Sequence, residues 1–219
     1  MISKKNWDYL RLDDQETPFS IPKKRRDWIE KGLKDENIKV RAEKIVDLIK
    51  AQGFSRVVSL GVGCAFLEYN IKRLFPEVYL SCSDFSPNSL ERLKQVFIEC
   101  DSIEYFDLLS KSWHVPDNAL YLLHRLDQEL DNNQWKKIFS DMAESNIKHV
   151  LFMPSQLLTL RLFLKEQIKF LVYRILNKKI YFAGYIRTKK TLNRLWEEQY
   201  TAIKEFNFGR LHGFLLERK

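Results

Sequence analysis

The segment from residue 56 to residue 84 constrains the fold of this 219-residue chain more strongly than any other part. It begins with the short β-branched run RVVSL, continues through the small-residue turn GVGCA, and then places Leu67, Ile71 and Leu74 at helical spacing. A second apolar run, VYLSCS, ends at Asp84. This order of strand, glycine turn, helix and strand is typical of a parallel β-sheet, because parallel neighbours need a crossover helix between them.

The rest of the chain continues this alternation of strands and helices. Residues 37–53 have an apolar helical stripe that ends at Gly53, and Ser86 followed by Pro87 is the expected start of another helix. The last two predicted strands are joined by a short loop with Asn and Gly, which indicates an antiparallel hairpin. The further predicted elements are strands over residues 103–109, 119–123 and 147–153, a helix through Trp135 and Met142, a helix from Thr188, and the hairpin strands 201–206 and 211–217.

The predicted fold class is α/β: a doubly wound, mostly parallel seven-stranded sheet with a C-terminal antiparallel hairpin and helices on both faces. We expect one domain over residues 1–219, because a single core commonly includes ~100 to 200 residues. Within this domain, residues 1–35 form an N-terminal extension. Residues 155–182 form a helical insert between the fifth strand and the last helix.

Composition excludes several other classes of protein. Hydrophobic residues make up 45% of the chain, which excludes disorder. The longest stretch without Asp, Glu, Lys or Arg, residues 149–160, is shorter than the ~20 residues of a membrane-spanning helix. The N-terminus has no apolar signal segment, the three cysteines cannot all pair with one another, and the four histidines lack metal-ligand spacing. We therefore expect a cytoplasmic protein without a metal.

The glycine turn and the acids after the next two strands form a candidate ligand site. Ligands of an open parallel sheet bind beyond the carboxyl ends of the strands, where the strand order reverses. Gly61 and Gly63 lack the Cβ atoms that would block close approach to the backbone. Asp84 ends the second strand, where it can accept hydrogen bonds from a ribose, and Asp107 ends the third, where it can meet an adenine. Each feature alone also occurs in tight turns and helix caps, but together they predict a nucleoside-cofactor site.

These stretches resemble the class I S-adenosylmethionine (SAM)-dependent methyltransferases. The matching segments are VVSLGVGCA, VYLSCSDFS, IEYFDLL, ALYLLHRLDQELDNNQW and the closing hairpin, within residues 36–154 and 182–219. The resemblance implies a Rossmann-like fold and SAM as the cofactor. It also implies the roles of individual residues: Gly61 and Gly63 approach the methionine part of SAM, Asp84 holds the ribose, Phe85 packs on the adenine, and Asp107 and Leu108 bound its far edge.

Two residues of the predicted cofactor site depart from the family pattern. Ser59 stands where the family usually has an acid, and Ala65 stands where it usually has a third glycine. A hydroxyl cannot supply the charge of a carboxylate near the ammonium group of SAM. The alternative to an enzyme is therefore a methyltransferase-like binding or scaffold protein without the cofactor. A nicotinamide-binding domain is disfavoured, because Phe66 stands where its fingerprint has Gly or Ala.

The residues after the fourth predicted strand are candidates for catalysis. Methyl transfer from a sulfonium depends on alignment of donor and acceptor, so a base is optional. If the acceptor is a hydroxyl or an ammonium group, His124 is the candidate base and Asp127 a second catalytic candidate. Alternatively, His124 caps the strand or lines the pocket for the carboxylate of SAM.

Sequence patterns disfavour some classes of methyl acceptor. The fourth strand is followed neither by Asn or Asp with Pro-Pro nor by Pro-Cys, which disfavours enzymes that modify nucleic-acid bases. Transfer to O or N of a small-molecule, glycan or lipid-linked acceptor is the main prediction, and an RNA methyltransferase is an alternative.

The insert has the pattern of a basic amphipathic helix. Residues 151–219 contain 14 Lys and Arg against 5 Asp and Glu. Two interpretations remain open: a lid or docking helix against the domain or a second subunit, and peripheral contact of residues 157–179 with an anionic membrane. The apolar stripe consists of Leu160, Leu164, Ile168, Leu171 and Ile175, and the basic stripe of Arg161, Lys165 and Lys169.

Overall fold

The computed structural model describes residues 19–110, 113, 115–160, 162–164, 168, 184–208 and 211–219. Helices and strands alternate along most of this length. In chain order they are α1 (Arg25–Lys34), α2 (Glu36–Gln52), β1 (Arg56–Leu60), α3 (Phe66–Leu74), β2 (Tyr79–Asp84), α4 (Pro87–Val96), β3 (Ser102–Tyr105), β4 (Ala119–His124), α5 (Asn132–Glu144), β5 (His149–Met153), α6 (Lys189–Trp196), β6 (Tyr200–Phe208) and β7 (Leu211–Arg218).

The seven strands form one mixed sheet in the order β3-β2-β1-β4-β5-β7-β6. All neighbours from β3 to β5 are parallel, whereas β7 lies antiparallel between β5 and β6. The strand order reverses between β1 and β4, so a crevice is expected beyond the carboxyl ends of these two strands. The predicted α/β class, with its mostly parallel seven-stranded sheet and antiparallel C-terminal hairpin, is confirmed.

Local signals define both ends of α2 and the start of α4. Asp35 caps α2 by accepting hydrogen bonds from the backbone N–H groups of its first turn, and Gly53 ends it in the left-handed conformation. The hydroxyl of Ser86 accepts a hydrogen bond from the N–H of Ser89, and Pro87 is the first helical residue of α4. Both predicted helix boundaries are therefore confirmed.

Helices cover both faces of the sheet, as predicted. Helices α1 to α4 contribute to one apolar core, which includes Trp28, Ile45 and Leu93. Helices α5 and α6 form the core of the opposite face, where the ring centroid of Phe139 lies 5.7 Å from those of both Phe152 and Trp196. Because successive strand residues point to opposite faces, the sheet supplies apolar side chains to both cores.

The N-terminal extension contributes to the first core. Residues 1–18 lie outside the described residues, but α1 buries Trp28 completely. The Trp28 indole lies against the rings of Phe66, Tyr69 and Phe97, and its Nε1 donates a hydrogen bond of 2.9 Å to the carbonyl oxygen of Cys64 in the glycine turn. The segment before α2 thus supports the turn that follows β1.

The third strand is shorter than predicted. It ends at Tyr105, so the expectation that it extends to residue 109, with Asp107 at its end, is wrong. The Asp107 carboxylate accepts a hydrogen bond of 3.1 Å from the N–H of Leu109, and its carbonyl accepts one of 2.8 Å from Ser110. Such local bonds compete with strand pairing and turn the chain away from the sheet.

The insert leaves and rejoins the domain at neighbouring positions. Leu157 forms a parallel bridge with Arg187, and the Leu158 N–H donates a hydrogen bond of 2.7 Å to the Arg187 carbonyl. Leu160 and Ile168 of the predicted apolar stripe are 75% and 63% exposed. The predicted basic stripe and the rest of the apolar stripe beyond residue 168 lie outside the described residues. Within the described part of the chain, no helix is long and apolar enough to cross a membrane.

Candidate functional site

The turn after β1 is built from residues with positive φ angles. Gly61, Gly63 and Ala65 have φ values of +63°, +57° and +55°. Glycine adopts this conformation without strain, whereas for Ala65, the N-cap of α3, it costs roughly 1 to 2 kcal/mol. A Cβ atom on Gly61 would lie 2.6 Å from Cδ2 of Leu126, so a larger residue here would force the Leu126 side chain to shift. Leu126 belongs to the loop after β4 and lies against the turn.

Asp84 fastens the glycine turn to the end of β2. Its side chain is only 4% exposed. Oδ2 accepts a hydrogen bond of 3.0 Å from the N–H of Gly63, and Oδ1 accepts one of 3.1 Å from the N–H of Ser86. The carboxylate therefore lies at the carboxyl edge of the sheet and is held by two backbone donors. Each oxygen can accept a further hydrogen bond, because an ionised carboxylate offers about four acceptor positions.

Ser59 supports the turn through a partner that the sequence analysis missed. Its hydroxyl donates a hydrogen bond of 2.7 Å to Oε1 of Glu68, which lies on α3 and is 2% exposed. Burial raises the pKa of Glu68 from its ordinary value of 4.5 to about 7; the Ser59 bond lowers this pKa and the charge of Asp84 raises it. Ser59 replaces the acid that is usual in the family, but the Glu68 carboxyl on α3 lies next to it. The available signal was an acid at a position between apolar residues at the start of a buried helix.

His124 ends β4, and its imidazole is a weak base in this environment. The Nε2 atom is buried and has no hydrogen-bond partner among the described residues. Burial, together with the charges of Arg41 and Arg125, lowers the pKa of His124 to about 3. The imidazole is therefore neutral near pH 7. A general base works best with a pKa near the operating pH, so this environment favours the alternative interpretation, in which His124 caps the strand or lines the pocket for the carboxylate of SAM.

Asp127 connects the loop after β4 to the end of β5. Its side chain is fully buried, and Oδ1 accepts a hydrogen bond of 2.6 Å from the N–H of Ser155. The Arg187 guanidinium donates to the carbonyl oxygens of Asp127 and Leu130 and, over 2.6 Å, to Oδ1 of Asn132. Burial raises the pKa of Asp127. These contacts give Asp127 a structural role in holding the loop that carries Leu126.

The predicted adenine-binding residues lie near the same edge. Phe85 directly follows β2 and is half-buried, as are Asp107 and Leu108 in the connection after β3. Tyr105 is the register partner of Asp84, and the Phe106 N–H donates a hydrogen bond of 3.0 Å to the Asp84 carbonyl. Phe85 and Asp107 therefore lie just beyond the paired carboxyl ends of β2 and β3. Within the described ranges, no group of three His, Cys, Asp or Glu side chains is placed to hold a metal ion.

The fold matches solved structures of methyltransferases. Human N-acetylserotonin methyltransferase in complex with SAM has a TM-score of 0.60 and 17% identity, covering 95% of this chain and 60% of its own. Mitomycin 7-O-methyltransferase has a TM-score of 0.61 and 16% identity over 83% of this chain and 54% of its own. Magnesium protoporphyrin IX methyltransferase from Synechocystis, with bound SAH, has a TM-score of 0.62 and 13% identity over 97% of this chain and 93% of its own.

The chain therefore has the fold of the class I SAM-dependent methyltransferases, as the sequence resemblance implies. It spans little more than half the length of the first two of these neighbours and nearly the whole of the third. No protein-family model matches the chain, and no curated protein matches its sequence.

Proposed function

We propose that this chain is a SAM-dependent methyltransferase that transfers a methyl group to O or N of a small-molecule, glycan or lipid-linked acceptor. The observation that carries this proposal is the Gly61–Gly63 turn, bonded to the buried carboxylate of Asp84 where the strand order reverses. The names of the fold neighbours support it, since they include methyltransferases of N-acetylserotonin, mitomycin and magnesium protoporphyrin IX.

The described residues fit the nucleoside part of the cofactor. Asp84 retains acceptor capacity on both oxygens for a ribose diol, and Phe85 offers a half-buried ring for the adenine. Asp107 and Leu108 would bound the adenine edge. Leu126 lies against Gly61, where the methionine part is proposed to bind, so its side chain would border the ligand.

The chain's own residues would act by positioning. Bound SAM supplies an electrophilic methyl group, and its transfer depends on alignment and exclusion of water. Asp84 fixes the turn and would orient the ribose, while Glu68 and Ser59 support the turn from the buried side. His124 is a weak base, so we propose an acceptor that is nucleophilic without strong general-base assistance, or one whose proton leaves to water.

Calorimetric titration with SAM and with S-adenosylhomocysteine tests the cofactor site. Replacement of Asp84 by Asn removes the charge but keeps the size of the side chain. We expect at least a tenfold loss of affinity, because hydrogen bonds to a charged group contribute about 1.5 to 3 kcal/mol each. Asp117→Asn is the matched control, since Asp117 is exposed in the turn before β4. Equal affinities of wild type and Asp84→Asn would overturn the assignment of Asp84.

A scaffold protein without the cofactor is the second candidate, and the position of Leu126 favours it. The Leu126 side chain lies against Gly61 of the turn that a cofactor would approach, and the Ser59 hydroxyl is bonded to Glu68. Native mass spectrometry of the purified protein separates the two candidates. Co-purified SAM or its demethylated product would support the enzyme, and no complex at high added ligand would support the scaffold.

We propose that residues 157–179 contact an anionic membrane surface from the cytoplasmic side, supported by the exposure of Leu160, Phe163 and Leu164. Flotation with vesicles that contain or lack anionic lipid tests this contact, and binding that is insensitive to salt and to lipid charge would contradict it. Light scattering would report a second subunit on the same surface.

A further inference from the structure

Helix α2 brings a basic residue to the carboxyl end of β4. At the opposite end of the sheet, Nδ2 of Asn118 donates a hydrogen bond of 2.8 Å to the carbonyl oxygen of Gly53, just beyond the C-terminus of α2. The C-terminus of α2 therefore lies at the amino end of β4. Arg41 lies twelve residues before Gly53, about 18 Å along the helix, and His124 lies about 20 Å along the strand from Asn118. These two lengths are similar, and the charge of Arg41 acts on His124, so the two residues lie near each other at the candidate site.

The Arg41 side chain is buried without an anionic partner. It is 7% exposed, its Nε atom has no hydrogen-bond partner among the described residues, and these residues form no ion pair with it. The acid whose charge acts on Arg41 is Asp35, but Oδ1 of Asp35 accepts the N–H groups of Asn37 and Ile38 as the cap of α2. A buried charge is costly unless it is paired, so this guanidinium is arranged for an anion that the described residues do not supply.

Arg125 supplies a second guanidinium in a strained backbone conformation. Its φ angle is +60°, which costs a non-glycine residue roughly 1 to 2 kcal/mol. Its N–H donates a hydrogen bond of 2.8 Å to the carbonyl of Met153 at the end of β5, so the side chain starts between the ends of β4 and β5. Such strain persists where the surrounding structure requires it and clusters at functional sites.

The charges of Arg41 and Arg125 act on each other and on His124. Burial lowers the pKa of Arg41, and the charge of Arg125 lowers it further. His124 adds the buried Nε2 atom, which also has no partner within the described ranges. Two like charges and an unpartnered ring nitrogen thus lie near the carboxyl end of β4, at the edge where the strand order reverses.

We propose that Arg41, His124 and Arg125 form a subsite for a carboxylate or phosphate group at the carboxyl end of β4. Guanidinium groups suit such planar or tetrahedral oxyanions, because they donate two parallel hydrogen bonds to them. The assignment of the anion to the methyl acceptor rests on the proposed function. The other source of the same chemistry is the carboxylate of the cofactor.

Calorimetric titration with inorganic phosphate and with acetate, at constant ionic strength, tests the subsite. Arg41→Gln and Arg125→Gly each remove one guanidinium, and Arg125→Gly keeps a well-folded chain because glycine accepts the positive φ. Arg194→Gln is the matched control, since Arg194 is exposed on α6 at the opposite face. We expect at least tenfold weaker phosphate binding in both site variants and wild-type binding in the control. Equal phosphate affinity in wild type, Arg41→Gln and Arg125→Gly would overturn the subsite.

A second set of titrations identifies the source of the anion. S-adenosylhomocysteine has the amino-acid carboxylate, whereas 5′-methylthioadenosine lacks it. If phosphate leaves the affinity for S-adenosylhomocysteine unchanged, the subsite serves the acceptor. The assignment to the acceptor is wrong if phosphate competes with S-adenosylhomocysteine but not with methylthioadenosine, and if Arg41→Gln weakens the binding of S-adenosylhomocysteine alone. If the wild type binds neither nucleoside, the proposed function fails, and the phosphate titration still decides whether the subsite exists.

Discussion

The buried carboxyl of Glu68 makes the stability of this protein depend on pH in a way that one substitution should remove. In the folded chain, burial raises the pKa of Glu68 from 4.5 to about 7. Between these two pH values the folded chain holds a proton that the unfolded chain has lost, so stability decreases as pH rises. The difference corresponds to about 3 kcal/mol in the free energy of unfolding, which is fully lost above the folded pKa.

Glu68→Gln removes this ionisation and keeps an oxygen that can accept the Ser59 hydroxyl hydrogen bond. At pH 4 we expect wild type and Glu68→Gln to have similar stability, because both side chains are neutral. At pH 8.5 we expect the variant to be more stable by about 3 kcal/mol, or about 6 to 12 °C in melting temperature for a chain of this size. Ser59→Ala removes the bond that lowers the pKa of Glu68, so its loss of stability should extend to higher pH.

Urea unfolding followed by circular dichroism across pH 4 to 9 measures these differences directly. Other titrating groups contribute equally to wild type and variant and cancel in the comparison. Glu91→Gln is the control, because Glu91 is exposed on α4 and should follow the wild-type curve. Parallel curves for wild type and Glu68→Gln, within about 0.5 kcal/mol, would show that the folded chain does not hold the Glu68 proton.

Two further substitutions test the packing around the site. Gly61→Ala should destabilise the chain by roughly 1 to 3 kcal/mol, because the new Cβ meets Leu126 and the residue has a positive φ. In a double-mutant cycle measured by urea unfolding, Leu126→Ala should recover part of this loss. Strictly additive effects of the two substitutions would refute the contact. Arg187→Met should cost about 2 to 4 kcal/mol in the same measurement, because it leaves the Asp127 and Leu130 carbonyls without their charged donor, and a loss below about 0.5 kcal/mol would contradict the role of this buried guanidinium.

Features that depend on residues close together in the chain are predicted correctly from the sequence, whereas the end of β3, which depends on pairing with another strand, is not. The boundaries at Gly53 and Ser86 were predicted correctly, because capping residues lie within a few positions of the backbone groups that they satisfy. The strand predicted to end at Asp107 was wrong, since a side-chain bond to Leu109 competes with pairing at the sheet edge. Apolar composition alone does not reveal that competition.

The sequence predicts the glycine turn and the strand end of the candidate site, but not the protonation of the buried side chains around them. Gly61, Gly63 and Asp84 are local signals of a turn and a strand end, and the structure brings them together at the expected edge. Glu68 lies nine residues from its partner Ser59, and the helix that carries it has the sequence pattern of an ordinary buried helix. His124 was a reasonable candidate base by residue type, but burial and two arginines make its imidazole a weak base.

The amino-acid sequence by itself determined the order of strands and helices, the glycine turn and the α/β class, because each of these depends on residues close together in the chain. Only the tertiary structure decided which side chains are buried, which charges face one another and which loop lies over the turn. Protonation and ion pairing depend on desolvation and distance in space. For Arg41 and His124, 83 residues apart, both quantities are set by the packing of α2 on the sheet.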